Sequence, residues 1–370
     1  MPLDSAEKVM VGMSGGVDSS VCAALLMDMG HSVTGVTLRL YDGEDYQNGE
    51  TRTCCSLSDA EDAKAVCAKL GIPHYVFNFK RDFEEKVIQN FAEVYKRGGT
   101  PNPCIDCNRY IKFDAMLRRA QTLGFSKIAT GHYATVRRDS DGRYLLCRSA
   151  DPTKDQTYVL YCMTQEQLAH TLFPLGGLTK SEVRELARQK GLVTAKKPDS
   201  QDICFVPDGD YASFIERYSG CAFPKGDFVD ESGVRLGAHG GVIRYTIGQR
   251  KGLGIAFGKP TFVLEKNAET NTVVLGDEQK LFYRQVLVDR VNWIAFDKPS
   301  GEMPVTAKLR YSQKEQEARL IPLSDNSVLL EFKQPQRAPS PGQSAVFYQE
   351  DVVVGGGVIR KGVREHGTEN

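Results

Sequence analysis

Ser14-Gly15-Gly16-Val17-Asp18-Ser19-Ser20 lies between the apolar run Val9-Met10-Val11-Gly12-Met13 and a helical run from Val21 to Met29, and it decides how the first half of the chain folds. Two glycines let the backbone curl until successive N–H groups converge. Three serines add hydroxyl donors, and the following helix points its positive end at the same spot. Such a turn binds an anion. It is not a Walker loop, which brings a Lys to the β- and γ-phosphates; here the charged loop residue is Asp18. A carboxylate repels phosphate, so the sequence assigns Asp18 a magnesium ion. An ordinary Gly/Ser turn accounts for a lone Gly-Gly pair, but not for the whole heptad between strand and helix.

Outward from the loop, short apolar runs alternate with helical patterns: residues 8–13, 32–38, 74–79 and 127–130 read as strands. That alternation predicts a parallel sheet with crossover helices and a ligand site at the carboxyl ends of its strands. Ser58 and Glu61 read as a capping box for a helix over 60–70, and Thr179 with Glu182 as another for a helix closing at Gly191. The long polar stretch from Tyr41 to Ser56 is expected to be mobile without substrate. Residues 133–148 read as a hairpin turning at Asp141-Gly142. After about residue 218 helical periodicity fades into short alternating runs, and Lys333 to Gly342, with three prolines, reads as a loop before two final strands. The expected division is a catalytic α/β domain over 1–217, a small central β-rich domain over 218–285, a C-terminal β-barrel over 286–362 and a tail over 363–370.

The 370 residues hold 47 Lys plus Arg against 47 Asp plus Glu, so any nucleic-acid site must be a segregated basic face rather than a property of the whole molecule. No apolar run approaches a membrane span and no secretion signal opens the chain, so a cytoplasmic protein with no membrane partner is expected. In that setting ten cysteines are better read as reduced, metal-binding or catalytic than as a disulfide framework. Cys107, in Thr100-Pro101-Asn102-Pro103-Cys104-Ile105-Asp106-Cys107-Asn108, precedes an amphipathic helix expected over 109–123, a position that favours thiolate. Cys204 follows the polar segment Lys196-Lys197-Pro198-Asp199-Ser200-Gln201-Asp202-Ile203. Two activated thiols suit sulfur transfer, one carrying a persulfide and the other resolving it. Cys22, Cys67, Cys147, Cys162 and Cys221 read as small hydrophobes, and the vicinal pair Cys54-Cys55 is assigned no essential role.

The heptad resembles the motif of the PP-loop ATP pyrophosphatases, adenine nucleotide alpha hydrolase-like enzymes that release pyrophosphate while adenylating a second substrate. With the cysteine segments, Ala129 to Ala134 (ATGHYA), Asp151 to Leu160 (DPTKDQTYVL) and Thr246 to Gly254 (TIGQRKGLG), the resemblance extends over nearly the whole chain to the tRNA-specific 2-thiouridylases. That resemblance implies ATP with magnesium at Gly12, Met13, Ser14, Gly15, Gly16, Val17, Asp18 and Ser19, with further ATP contacts at Leu38 and Gly131. It makes Cys107 the nucleophile and Cys204 the persulfide carrier, joined transiently as a disulfide. Asn102, Pro103 and Cys104 match the segment that meets the target base, and His132, Lys154, Asp155, Gln156, Arg310, Tyr311 and Gln343 match tRNA contacts. The implied partners are the anticodon arm of lysine, glutamate and glutamine tRNAs, and a persulfide donor such as a cysteine desulfurase or sulfur-relay protein.

Many family members carry Asp where this chain has Cys104. The change creates a CxxC, and Cys104, Cys107 and Cys204 together could ligate an iron–sulfur cluster. The rival readings are another PP-loop enzyme, amidating or otherwise tRNA-modifying, and a non-catalytic tRNA-binding or sulfur-carrier protein.

Overall fold

Val9, Met10 and Val11 are buried on both faces, so the strand that carries them cannot be an edge. This strand, β1 (Lys8–Gly12), runs at the centre of a five-stranded sheet. The computed structural model describes residues 6–41, 57–198, 203–255, 258–323 and 326–364. Of the loop expected from Tyr41 to Ser56 only Tyr41 is described, and it is buried; residues 42–56, with Cys54 and Cys55, and Asp199 to Asp202 lie outside these residues.

The sheet order is β3-β2-β1-β4-β7, with β2 (Ser32–Arg39), β3 (His74–Asn78), β4 (Lys127–Ala129) and β7 (Thr171–Leu172) all running parallel to their neighbours. The first four are the strands read from the sequence. Two residues of β7 are too few for any periodicity to show. Helices α1 (Val17–Asp28), α2 (Leu57–Leu70) and α3 (Lys180–Gln189) send Val21, Ala63, Val66, Val183 and Ala187 into one apolar cluster with Val9 and Val11. The capping box at Thr179 and Glu182 is present with both of its bonds. α2 instead begins at Leu57, so Ser58 lies in its first turn rather than capping it. Between β4 and β7 stands the antiparallel hairpin β5 (Thr135–Arg138) and β6 (Tyr144–Cys147), turning through Gly142 at φ 87°.

The chain divides into two units, the first holding Met1–Ile88, Pro103–Gly209 and Glu350–Val353, the second Gln89–Asn102, Asp210–Gln349 and Val354–Asn370. In the second, β8 (Gly226–Val229), β9 (Arg235–His239), β10 (Phe262–Asn267) and β11 (Thr272–Gly276) form a small sheet of order β10-β11-β8-β9. Then β12 (Phe282–Trp293), β13 (Met303–Lys308), β14 (Gln316–Pro322), β15 (Val328–Arg337), β16 (Ser344–Gln349) and β17 (Val352–Val363) follow the order β12-β15-β14-β13-β16-β17. Pairing of β12 with β17 closes them into a six-stranded barrel filled by Val286, Leu320, Leu330, Phe347 and Ile359. The fold is therefore an α/β parallel-sheet domain followed by a small β domain and a β-barrel, as the sequence reading expected.

A further expectation is corrected in the barrel. Residues 333–342 do not form a loop throughout, because β15 continues to Arg337. Its register against β12 jumps from Tyr283↔Gln336 to Gln285↔Glu331, so Pro335 falls in a bulge where no ladder bond is asked of it. Replacing Pro335 with Ala should therefore change the unfolding free energy by less than about 1 kcal/mol. Leu330→Pro, which breaks pairing with both Val286 and Leu320, should cost about 3 kcal/mol or more. Denaturant titration of both variants checks the bulge.

Candidate active site

The turn after β1 is built by its own backbone and serines. Met13 donates its N–H to Val36 O at 2.8 Å and accepts from the Thr37 hydroxyl at 3.0 Å, which ties the turn to β2. Gly15 adopts φ 70°, and a Cβ there would stand 2.3 Å from Asp59 O on α2, so only glycine fits. The hydroxyls of Ser19 and Ser20 both donate to Gly16 O, at 3.2 and 2.8 Å, and Ser14 N–H donates to Ser19 Oγ. These two serines shape the turn, and the exposed hydroxyl among the three expected anion donors is that of Ser14. Gly131, after β4, lies against the start of α1: a Cβ would come 2.7 Å from Asp18 C and Ser19 N. Leu38 sits at the carboxyl end of β2, two residues beyond the Val36 that pairs with Gly12. Gly12 to Ser19, Leu38 and Gly131 thus cluster at one end of the sheet, where open α/β sheets bind ligands.

Asp18 is not presented to a metal ion. Lys180 Nζ holds both of its oxygens, at 2.7 and 2.8 Å, and Tyr133 Oη donates to Oδ1 at 2.8 Å. As placed, the carboxylate is the counter-ion of a lysine and does not fit the magnesium ion the sequence assigned to it. Both partners are themselves held. Gln156 Oε1 accepts from Tyr133 N–H and Gln156 N–H donates to Tyr133 O, each at 2.9 Å. Asp151 accepts the Lys180 N–H at 3.0 Å and the Thr153 hydroxyl and N–H at 2.6 and 2.9 Å. Asp155, buried, takes Ser149 N–H and the Thr157 hydroxyl. On the other flank Lys197 Nζ reaches Gly15 O at 3.0 Å together with Asp59 and Asp62, fastening the turn to α2.

The helix expected to start at Arg109 starts at Pro103, a residue suited to a first helical position. It runs as an α turn over Pro103–Asp106, a π-helix over Cys107–Ala115 and an α-helix over Met116–Thr122. Cys107 is buried and opens the π stretch one turn inside the helix, so the helix dipole acts on it less than the sequence implied. Its neighbour Asn108 is buried, donates Nδ2 to Val159 O at 2.9 Å and leaves Oδ1 without a partner among the described residues. Cys204 is half-buried, with its carbonyl accepting from Tyr41 Oη at 2.6 Å. Phe205 packs on Phe83 at 5.6 Å between centroids, and Phe83 packs on Tyr41 at 6.1 Å. The turns of Lys80–Phe83 and Glu84–Ile88 pack in turn on the π-helix of Cys107. One aromatic support therefore carries both cysteine segments.

Among the described residues no three His, Cys, Asp or Glu side chains converge as a metal site. With Cys104 exposed, Cys107 buried and Cys204 half-buried, the three thiols as placed do not fit a cluster. Burial pushes the Cys67, Cys147 and Cys162 thiols up to about 11, and Cys22 further, so these stay neutral in the core. Cys221, expected in an apolar setting, is exposed and donates to Ser219 O.

Of the residues matched to RNA contacts, Asp155 and Gln156 are spent on the scaffold just described, and Lys154 beside them is half-buried. His132 bonds Thr130 Oγ1 through Nδ1 at 2.7 Å and packs between Phe113 and Phe173; burial, then Lys112, hold its pKa well below the usual value, so it is neutral at pH 7. In the second unit Tyr311 is 47% exposed, and Arg310 Nη2 donates to Ala338 O at 2.6 Å. Gln343 Nε2 donates to Thr100 O at 3.0 Å, and Thr100 N–H to Pro341 O at 2.8 Å, two residues before Asn102. Lys180, Tyr133, Asp151 and Lys197 were not singled out from the sequence. The absence of a basic residue from Gly12 to Ser20 signals that the turn must borrow one, but which of the 47 lysines and arginines serves is visible only in the fold.

The sheet, the turn at its carboxyl end and the glycine that closes on α1 define an α/β parallel-sheet protein whose site lies at the carboxyl ends of its strands. Residues 7–208 match the tRNA methyl transferase HUP domain, 212–277 the tRNA methyl transferase PRC-barrel domain and 283–359 the aminomethyltransferase beta-barrel domain. The chain is 52% identical over 358 residues to the tRNA-specific 2-thiouridylase MnmA of Acetivibrio thermocellus, covering 96% of this chain and 100% of that one. It is 53% identical over 356 residues to the tRNA-specific 2-thiouridylase MnmA of Heliobacterium modesticaldum, covering 95% and 92%. The chain belongs to the tRNA-specific 2-thiouridylase family.

Asp151 offers a test of the scaffold that needs no substrate. The Thr153 hydroxyl and the Lys180 N–H hold its carboxyl below the usual range. A depressed folded-state pKa contributes stability that is present above the unfolded value near ~3.9 and is lost as pH falls through the folded one. Asp151→Asn should therefore lower stability by about 1–2 kcal/mol at pH 7. The gap in melting temperature from the unsubstituted protein should close below about pH 4; a gap independent of pH would show that the carboxylate charge is immaterial.

Proposed function

We propose that the chain is a tRNA-uridine 2-sulfurtransferase that adenylates the C2 oxygen of the wobble uridine, position 34, and replaces it with sulfur. The observation that carries this reading is the shared aromatic support of the Cys107 and Cys204 segments, in the same unit as the PP-loop turn. ATP lies in the turn of Gly12 to Ser19, between Leu38 and Gly131. The uridine oxygen attacks the α-phosphorus, the bond to the β-phosphate breaks, and pyrophosphate leaves with its electron pair. C2 now carries AMP, a competent leaving group.

The terminal sulfur of a Cys204 persulfide then forms the new C2–S bond and AMP departs. Cys107 thiolate attacks Cys204 Sγ, either to free the sulfur after it has bonded to C2 or to release it beforehand as sulfide, and a Cys107–Cys204 disulfide results. An external thiol reductant resets the pair, and a persulfide donor of the cysteine desulfurase or sulfur-relay class reloads Cys204. Reaching C2 requires the base to leave its stack, which costs least in an anticodon loop.

Asn102, Pro103 and Cys104 are assigned to the target base. Arg310, Tyr311 and Gln343 are assigned to the RNA, with His132 and Lys154 near the turn; lysine, glutamate and glutamine tRNAs are the preferred substrates, met in the cytoplasm. The division into 1–217, 218–285 and 286–362 is supported by three domain matches that change over between 208 and 212 and between 277 and 283. Magnesium enters this reading only as the usual companion of ATP, with no role given to Asp18 as its ligand. Because Cys104, Cys107 and Cys204 do not converge, an iron-depleted preparation should keep its activity; activity lost and then restored by iron and sulfide would put a cluster back on them.

Incubating the protein with ATP, magnesium, a sulfur source and unmodified tRNA should yield 2-thiouridine, read by nucleoside mass spectrometry, with stoichiometric AMP and pyrophosphate. Cys204→Ser should abolish persulfide loading, and Cys107→Ser should load sulfur but not turn over. Full turnover by either variant would falsify the assignment of roles. Tyr311→Ala should weaken tRNA binding by about 1–3 kcal/mol if it stacks on a base, and leave ATP binding unchanged in a filter-binding comparison.

A further inference from the structure

In the proposed reaction every turnover leaves a Cys107–Cys204 disulfide that must be reduced, and the fold makes that bond a poor target. Cys107 is 8% exposed and Cys204 is half-buried, so neither sulfur is presented to a reductant from solution. Thiol–disulfide exchange needs access to the sulfur that is attacked. Among the described residues of the first unit the exposed cysteine is Cys104, three residues before Cys107 on the same helix.

Helix geometry lets these two thiols join. Residues three apart in a regular helix have Cα atoms about 5 Å from each other, inside the roughly 4.4–6.8 Å window of a disulfide. Their Cβ atoms, about 5–6 Å apart, must close to roughly 4 Å. Cys104 lies in the first turn, where the N–H groups have no intrahelical partner, so the adjustment at Cys104 breaks no ladder bond of its own. Cys162 borders the same turn, with Sγ donating to Ile105 O at 3.6 Å. Burial pushes that thiol up to about 11, so it stays neutral and does not compete.

We propose that Cys104 is a resolving thiol: it attacks Cys107 Sγ in the spent Cys107–Cys204 disulfide and moves the oxidised bond to the accessible Cys104–Cys107 pair. The new S–S bond forms between Cys104 and Cys107 as the old one breaks, and Cys204 leaves with the electron pair, ready to be reloaded. A dithiol reductant then attacks Cys104 Sγ and Cys107 departs as thiolate. The second thiol of the reductant closes its own disulfide and releases Cys104. Two electrons thus pass from the dithiol to the CxxC pair, and protons lost by the attacking thiols are taken up by the departing thiolates. Cys104 belongs to the segment assigned to the target base, so the exchange follows departure of the thiolated RNA. The inference rests on the sulfur-transfer reading of Cys107 and Cys204.

The test loads persulfide on Cys204 of the full-length protein, adds ATP, magnesium and unmodified tRNA without reductant, and strips the RNA in high salt. Acid quenching, alkylation and peptide mass spectrometry then map the disulfides, counted per 2-thiouridine formed. A parent that makes no 2-thiouridine from loaded Cys204 would strike the sulfur-transfer reading itself. Given an active parent, the disulfide should join Cys104 to Cys107 and leave Cys204 open to alkylation. In Cys104→Ser, and in Cys104→Asp, which restores the carboxylate many family members carry, it should stay between Cys107 and Cys204. Return of the Cys204 thiol on adding dithiothreitol should then slow at least about tenfold. Where the serine variant fails to fold, the aspartate variant decides. A Cys107–Cys204 disulfide in the parent, or parental rates of reduction in a folded variant, would overturn the proposal.

Discussion

The ion pair of Asp18 with Lys180 is the interaction around which the rest of the first unit is arranged. A carboxylate and an ammonium this sheltered from water owe much of their stability to each other, since removing one leaves the other uncompensated. What keeps them together is geometry from three chain segments. α1 brings Asp18, α3 brings Lys180, and the chain after β4 brings Tyr133 and the bare Cα of Gly131 against α1. The apolar contact of α1 with α3 through Val21, Val183 and Ala187 fixes the spacing that the pair needs.

Seen from that pair, the segment Asp151 to Gln156 has a plain physical task. Asp151 anchors the backbone of Lys180, Gln156 clamps Tyr133 from both sides, and Asp155 holds the connecting turn through Ser149 and Thr157. The family resemblance offered Lys154, Asp155 and Gln156 as RNA contacts, and a short polar DPTKDQ segment looks like one on paper. In the folded chain most of its hydrogen-bonding capacity faces inward, which makes it a brace between the two partners of Asp18.

The parts of the structure legible in the sequence were those written locally. A Gly-Gly turn after an apolar run, a Thr-x-x-Glu cap and alternating strands each depend on neighbours a few residues away, and β1 to β4, the Thr179 cap and the two final strands appeared where expected. What stayed hidden depends on distant partners. Lys180 meets Asp18 across 162 residues and Tyr133 meets it across 115. The two residues of β7 make sense only beside β4, and Pro335 could be read as a loop signal because the bulge that absorbs it is set by β12. The π-helix at Cys107 has no sequence signature in propensity, and the earlier helix start at Pro103 moves the thiol to the second turn.

The second unit shows the same principle from the other side. Residues 89–102 interrupt the first unit in sequence and fold with the second, where Phe91 packs on Tyr95, Tyr211 and Phe214 at 4.9, 6.0 and 6.3 Å. Their last stretch is clamped at Thr100 by Pro341 O and the Gln343 carboxamide, in the turn that leads into β16. Any RNA group that uses Gln343 must share or displace this bond, worth about 0.5–1.5 kcal/mol net. An amide bonded to a backbone carbonyl is a restrained donor, so its value to a ligand lies as much in holding Thr100 still as in any contact it offers. Asn102 follows Thr100 after a single proline, so this pair of bonds restrains the chain within the second unit two residues before it.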